Sequence, residues 1–325
     1  MQSVFLDFAT ISRGDIDVES LNKALPDLQY FPTTESAELH QRVRNAEIVL
    51  TNKIRIDRET IAAAPELKLI CLAATGTNNV DLEAAAERGV AVCNIVAYCT
   101  AAVVQHVFAL IMSLNQHLRE YQSLLRQGAW KGSPQFCLLD YPIRELAGST
   151  LGIVGYGELG RGVAQAAEAF GMKVVVAKRP GDHPGDGPAT ATGPPRIPLE
   201  RMLPDIDILS LHCPLTPATD KLIGTPELKL MPGHALLINT ARGALVDEEA
   251  LLHALRENLI GGAGIDVLNE EPPVNGNVLL DADLPNLIVT PHIAWATREA
   301  RQRAIEEMAE NISVFCGGGH RNRVI

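Results

Sequence analysis

Leu151-Gly152-Ile153-Val154-Gly155-Tyr156-Gly157-Glu158-Leu159-Gly160 reads as an apolar strand running straight into glycines spaced Gly-x-Gly-x-x-Gly. Residues 163–170 then take helical spacing, which is the context that separates this motif from an accidental glycine cluster. In such a strand-turn-helix, Gly155 permits the tight turn, Gly157 lets the backbone approach a pyrophosphate, and Gly160 lets the helix pack closely on the strand. The helix N-terminus then offers unpaired N–H groups to the phosphates. A dinucleotide on a Rossmann-type sheet is the expected ligand, with Tyr156, Glu158 and Leu159 between the glycines.

The motif begins at position 151 of a 325-residue chain, so a separate domain must precede the dinucleotide domain. Two domains imply a cleft. With 46% hydrophobic but only 4% aromatic residues, the two cores must be packed mainly from Ala, Leu, Val and Ile. A formal net charge of −11 opposes nucleic acid and anionic membrane surfaces as partners. No apolar run approaches spanning length, and Met1-Gln-Ser-Val-Phe-Leu-Asp7 reads as a strand rather than a signal segment, so a cytoplasmic protein is expected. The six cysteines, at 71, 93, 99, 137, 213 and 316, form no Cys-x-x-Cys pair and sit mostly in apolar runs, as buried thiols do. Cys213 beside His212 matches no ligand spacing, and no metal is expected.

Through the first domain, short apolar runs alternate with helical stretches. Residues 4–8, 48–51, 67–72 and 90–93 read as strands; 20–25, 35–44, 57–63 and 81–88 read as helices, the last opening on an Asp N-cap and closing before Gly89. Residues 100–127 read as one long helix joining the domains, and 151–154, 173–177, 206–212, 235–239 and 262–265 as the strands of the second. Residues 180–198, rich in Pro and Gly and without periodicity, read as a surface loop. The charged amphipathic stretch 297–315 is expected to return to the first domain. The predicted fold class is α/β, two doubly wound parallel-sheet domains flanking the cleft. A flavodoxin-like substrate domain takes residues 1–98 and 291–325, and an inserted Rossmann cofactor domain takes 99–290.

In an open parallel sheet the chemistry lies beyond the carboxyl ends of the strands, and three segments bring polar groups there. Leu237-Ile-Asn239-Thr240-Ala241-Arg242-Gly243 ends a strand in an arginine flanked by small residues, suited to clasping a carboxylate with a planar fork. Gly264-Ile-Asp266-Val-Leu-Asn-Glu270-Glu271-Pro272-Pro273 delivers carboxylates into a proline-fixed turn, and Thr290-Pro291-His292-Ile-Ala-Trp295 sets a histidine just after a strand. Taken singly, each has a bland reading: a surface ion pair, an acidic turn, a structural histidine.

Together with Ala73-Ala-Thr75-Gly76-Thr77-Asn78-Asn79-Val-Asp81, the glycine loop and His212-Cys-Pro214-Leu-Thr216, these segments closely resemble the D-isomer-specific 2-hydroxyacid dehydrogenase family over essentially the whole chain. The 75–81 run, Phe136-Cys-Leu-Leu-Asp140 and Pro291 to Trp295 are most similar to its glycerate dehydrogenase, or hydroxypyruvate reductase, branch. The resemblance implies that Arg242 binds and polarises a small 2-keto acid and that His292 is the acid-base group. Its carboxylate partner is then Glu271, directly before the proline, rather than Glu270. A carboxylate beside an imidazole favours the imidazolium, so keto-acid reduction should gain toward lower pH and hydroxy-acid oxidation toward higher pH.

By the same resemblance, backbone amides of Thr75, Gly76 and Thr77 hold the substrate carboxylate, and Trp295 walls the substrate pocket. Asp266 contacts the nicotinamide carboxamide, Thr240 and Ala241 line its ring, and His212 and Pro214 lie near the adenosine. Hydroxypyruvate and glyoxylate are the implied keto acids, with D-glycerate and glycolate as their hydroxy acids. The implied assembly is a homodimer, in which Gly128-Ala-Trp130-Lys-Gly132 crosses to the partner.

One departure bears on the cofactor. NAD-preferring members place an acidic residue after the second cofactor-domain strand, where this chain has Lys178 followed by Arg179. An acidic side chain there bonds the ribose hydroxyls and repels a 2′-phosphate, whereas basic ones attract it, so NADP(H) is favoured. If Lys178 turns to solvent and only Arg179 approaches the ribose, NAD(H) serves as well. The fold also hosts corepressor-like proteins that sense nicotinamide nucleotides, and phosphite dehydrogenases. The lack of motif-rich extensions favours a compact enzyme, and the charge of Glu271 opposes a formate-specific site.

Overall fold

Runs such as Ile48–Thr51 and Leu69–Leu72 are buried at every position, so they can only be interior strands of a parallel sheet covered on both faces. The computed structural model describes residues 1–179, 194 and 196–325, and these divide into two compact units: Met1–Cys99 with Trp295–Ile325, and Thr100–Ala294.

The first unit holds β1 (Ser3–Phe5), β2 (Leu28–Tyr30), β3 (Ile48–Thr51), β4 (Leu69–Leu72) and β5 (Ala91–Cys93). All are parallel, in the order β2-β1-β3-β4-β5 of a flavodoxin-like sheet. Helices α1 (Glu19–Ala24), α2 (Ser36–Val43), α3 (Arg58–Ala63) and α4 (Leu82–Glu87) connect them. Asp57 and Asp81 cap α3 and α4, accepting from Thr60 N and Ala84 N at 2.9 Å. Strand β2 is not apparent in the sequence because it is a short edge strand that is nowhere fully buried. Strand β1 stops at Phe5, short of the expected residue 8, because Phe8–Thr10 turns into a 3-10 helix.

In the second unit, the stretch expected as one helix is two, α5 (Thr100–Asn115) and α6 (Leu118–Arg126). The break is His117, which takes a left-handed backbone (φ +50°) and stacks on Tyr141 at 5.2 Å. The sheet follows as β6 (Thr150–Val154), α7 (Glu158–Ala169), β7 (Lys173–Ala177), β8 (Arg196–Ile197), α8 (Leu199–Met202), β9 (Ile208–Leu211), α9 (Thr225–Leu230), β10 (Leu236–Asn239), α10 (Glu248–Arg256), β11 (Gly262–Ile265) and β12 (Leu287–Val289). Among the described residues the seven strands of this sheet are all parallel, in the order β12-β11-β10-β9-β6-β7-β8, so the direction of winding reverses between β6 and β9. Within the 180–198 segment read as a loop, Arg196–Ile197 is strand β8, paired with Val176 and Ala177. Residues 180–193 and 195 lie outside the described residues.

The chain then returns to the first unit as α11 (Arg298–Cys316), capped by the Thr297 hydroxyl, which accepts from Ala300 N at 3.2 Å. Its face of Ala300, Ala304, Ile305, Met308 and Ile312 is buried against α1 and β4. Arg301 adds a two-pronged bond to Asp15 at 2.8 and 2.6 Å. The return crossing comes after Ala294, four residues later than read from the sequence, because Asp266 binds the Ile293 and Ala294 amides into the second unit. The outward crossing falls after Cys99 rather than 98. Among the described residues, no helix is long and apolar enough to cross a membrane.

Because Ile305 is wholly enclosed, truncation to Ala leaves a cavity on the α11 face. Urea unfolding of Ile305→Ala should show a loss of about 2–5 kcal/mol, and a loss of a few tenths would mean that α11 contributes little to the first unit.

Candidate active site

The three glycines after β6 are glycine for different reasons. Gly155 has φ +95°, and a Cβ on it would lie 2.5 Å from Cys213 N and His212 C, so the β6–α7 turn presses directly on the chain leaving β9. A Cβ on Gly160 would lie 2.1 Å from Gly155 O. Gly157 differs: it caps α7 with an ordinary φ of −83°, and among the described residues nothing lies within 4 Å of where its Cβ would be. The protein's own packing gives no reason for glycine there. Open space in front of the N-terminus of a 12-residue helix is what a pyrophosphate requires.

Polar atoms at the neighbouring strand ends point the same way. His212 Nε2 bonds Ser210 Oγ at 2.8 Å, but among the described residues its buried Nδ1 has no partner, and neither has Thr240 Oγ1. Burial pushes the His212 pKa down to about 4, so the ring is neutral near pH 7. Each stranded polar atom costs about 1–3 kcal/mol unless a ligand satisfies it. These features fit a dinucleotide. Tyr156 and Leu159 are half-buried in the turn, Pro214 is exposed after β9, and Glu158 is exposed and paired with Arg161 at 3.1 Å. Lys178 and Arg179 follow β7 with exposed side chains, and the Lys178 amide is tied to Ile197 O at 2.9 Å.

The next three strand ends bring the other polar residues together. Past β10, Asn239 is fully buried and braces the turn, donating to Arg242 O at 2.8 Å and accepting from Ala241 N at 3.0 Å. Arg242 is exposed and donates to Ala241 O at 2.7 Å; among the described residues it makes no ion pair. A Cβ on Gly243 would lie 2.0 Å from Leu268 C, so this turn packs backbone to backbone on the segment after β11. That segment carries Glu271, whose Oε1 accepts from Leu268 N at 2.9 Å and whose Oε2 lies 2.7 Å from His292 Nδ1. Glu270 instead takes the Asn275 amide. Asp266 is buried, its oxygens accepting from Thr290 Oγ1, Ile293 N and Ala294 N. A nicotinamide carboxamide would find spare acceptor capacity only at Oδ2, which takes one of these three bonds.

Histidine 292 thus has its Nδ1 held by a carboxylate that is itself fixed to the backbone, which sets the orientation of the ring. Such a ring can pass a proton at one defined atom. In the first unit, Thr75 is held by its hydroxyl to Ile95 O at 2.8 Å and by its carbonyl to Asn94 Nδ2 at 2.8 Å. These bonds fix the turn that carries Gly76 and Thr77. Trp295 meets Tyr98 edge to face at 6.4 Å in the same unit.

The family model for the D-isomer specific 2-hydroxyacid dehydrogenase NAD-binding domain matches residues 108–294. The chain belongs to this family. A glycerate dehydrogenase from Methylorubrum extorquens is 45% identical over 321 residues, covering 99% of this chain and 98% of that protein. A hydroxypyruvate reductase from Blautia hydrogenotrophica is 34% identical over 327 residues, covering 100% and 99%. A solved structure of D-lactate dehydrogenase from Aquifex aeolicus, complexed with NAD and lactic acid, matches with a TM-score of 0.82 at 29% identity, covering 98% of this chain and 96% of that one. The protein is therefore a D-2-hydroxyacid dehydrogenase that uses a nicotinamide cofactor. Asn239 and Gly243, which brace the turn that carries Arg242, have no distinguishing signal in the sequence beyond lying near Arg242.

Gly157 and Gly160 separate binding from folding. In this dehydrogenase, Gly157→Ala should keep wild-type thermal stability while weakening dinucleotide affinity at least about tenfold, whereas Gly160→Ala should lose about 1–3 kcal/mol of stability or more. Titration of cofactor fluorescence alongside thermal melts would read both, and unchanged affinity in Gly157→Ala would remove the assignment of that space to the cofactor.

Proposed function

We propose that this enzyme reduces hydroxypyruvate to D-glycerate, and glyoxylate to glycolate, drawing on NADPH in preference to NADH. The carrying observation is the 2.7 Å contact of Glu271 Oε2 with His292 Nδ1, on a turn packed directly against that of Arg242. Two relatives that cover nearly the whole chain and carry the names glycerate dehydrogenase and hydroxypyruvate reductase support the choice of keto acid.

In this reading Arg242 clasps the substrate carboxylate with its planar fork and draws electron density from the neighbouring carbonyl. When bound, the nicotinamide supplies the hydride to the carbonyl carbon. His292 gives its Nε2 proton to the carbonyl oxygen as charge develops there, and the ring finishes neutral with Nδ1–H still donated to Glu271. Oxidation runs the same steps backwards and needs the ring neutral at the start. Glu271 holds the ring orientation and offsets the imidazolium charge.

Lys178 and Arg179 at the end of β7 support NADPH, since two exposed cations there attract a 2′-phosphate. We further propose a cytoplasmic homodimer. Helix α6 has no buried residue, and Phe136 and Leu139 beyond it are 90% and 82% exposed, apolar surface that a second copy would cover.

Initial rates of hydroxypyruvate reduction test the reading. His292→Gln should lose about 10²- to 10⁴-fold in kcat, and Arg242→Lys should lose turnover too because an ammonium cannot reproduce the fork. Ordinary turnover in either variant would refute its role. In the wild type, NADPH should give the higher kcat/KM, and Lys178→Glu should move the ratio toward NADH; a ratio unmoved by that change would leave Lys178 without a part in cofactor choice.

A further inference from the structure

Asp266, which is buried, and its part-buried neighbours Thr290 and His106 form a hydrogen-bonded chain that the reaction itself does not use. The residue is 1% exposed. Its carbonyl accepts from His292 N at 2.8 Å, Oδ1 from Ile293 N at 2.9 Å and Oδ2 from Ala294 N at 2.8 Å, so one residue grips three consecutive amides of the His292 segment. The Thr290 hydroxyl donates to Oδ1, and Thr290 Oγ1 lies 3.0 Å from His106 Nε2. A hydroxyl has one proton. With that proton on Asp266, Thr290 can only accept from His106, so His106 carries its proton on Nε2. The same nitrogen lies 3.5 Å from Asp266 Oδ1.

This grip has something to hold. His292 sits at φ +54°, a left-handed backbone that costs a non-glycine residue about 1–3 kcal/mol and persists only where its surroundings impose it. Helix α5 is otherwise apolar on its buried side, with Val103, Val107, Leu110 and Ile111 around His106. An aliphatic residue would fill that position without needing a partner. The imidazole here instead has a polar partner, and its Nε2–H completes the chain to Asp266.

We infer that His106 is a positioning residue for His292, acting through Thr290 and Asp266 to fix the backbone that aims the acid-base imidazole. The inference rests on His292 being the acid-base group. An ångström-scale misplacement of such a group costs up to about 10²-fold in rate with little effect on binding.

The test compares variants that keep or lose one polar atom. Thr290→Val preserves shape without the hydroxyl, and Thr290→Ser keeps it; His106→Leu and His106→Gln form the matching pair, since a Gln amide can donate from nearly the position of Nε2. Each is measured for kcat and KM with hydroxypyruvate, dinucleotide affinity and melting temperature. Thr290→Val and His106→Leu should lower kcat about 10- to 100-fold, with dinucleotide affinity within about twofold, and Ser and Gln should restore most of the loss. The double variant Thr290→Val/His106→Leu should be little worse than either alone, as expected for links of one chain. Wild-type kcat in Thr290→Val, failure of Thr290→Ser to restore it, or fully multiplicative losses would each overturn the inference. If Thr290→Val does not fold, the His106→Leu and His106→Gln pair reads the same split. His292→Gln, run alongside, separates the two levels. Undiminished turnover there refutes the acid-base reading and the positioning role with it, whereas a dead His292→Gln beside a fully active Thr290→Val refutes positioning alone.

Discussion

The backbone of the turn after β6 lies against the backbone leaving β9 with no room for a side chain between them, and the second unit is organised around that contact. It occurs where the strand order reverses, the point at which connections leave the sheet in opposite directions and open a crevice. From β9 onward, the strands run in matched register: Leu211 beside Asn239, Asn239 beside Ile265, and Ile265 beside Val289. Each next residue or two is therefore delivered along one edge. His212, Thr240, Asp266 and Thr290 are neighbours because the sheet is parallel and its strands end level, and not because of any likeness among the loops.

Two carboxylates on this edge do different work because of what surrounds them. Glu271 is part-exposed and gives one oxygen to a backbone amide and the other to an imidazole, so its charge lies against a side chain that can carry a proton. Asp266 is enclosed, and its charge is spread over two amides and a hydroxyl. Hydrogen bonds to a charged group contribute about 1.5–3 kcal/mol each, and a buried charge stripped of them is strongly destabilising. The enclosed carboxylate is thus tied to its protein partners by its own need for them.

Legibility in the sequence followed the range of the interaction. The glycine turn, the Asp cap of α4 and the fully apolar strands are local patterns, and the structure places them at or within a few residues of where the sequence does. The Glu271–His292 contact was readable only through the family resemblance, since nothing local distinguishes Glu271 from Glu270. Features that depend on a distant partner left no trace: the edge strand β2, the left-handed break at His117, and β8 at the end of a proline-rich run. His106 is the clearest case, because a lone histidine in an apolar helix reads as core, and its partner stands 184 positions away.

The first unit is discontinuous, and that has a consequence during synthesis. Its five strands leave the ribosome early, but α11, which covers one face of β4, is made only after all of Thr100–Ala294. At a synthesis rate of about 5–20 residues per second, the N-terminal sheet waits for roughly 10–40 s with that face uncovered, while the inserted unit can complete its own core. The order of assembly is then the reverse of the order of translation: the unit begun first is finished last. Over that interval the nascent chain depends on the ribosome's surroundings to shield the apolar face that Ile305 and Met308 later occupy.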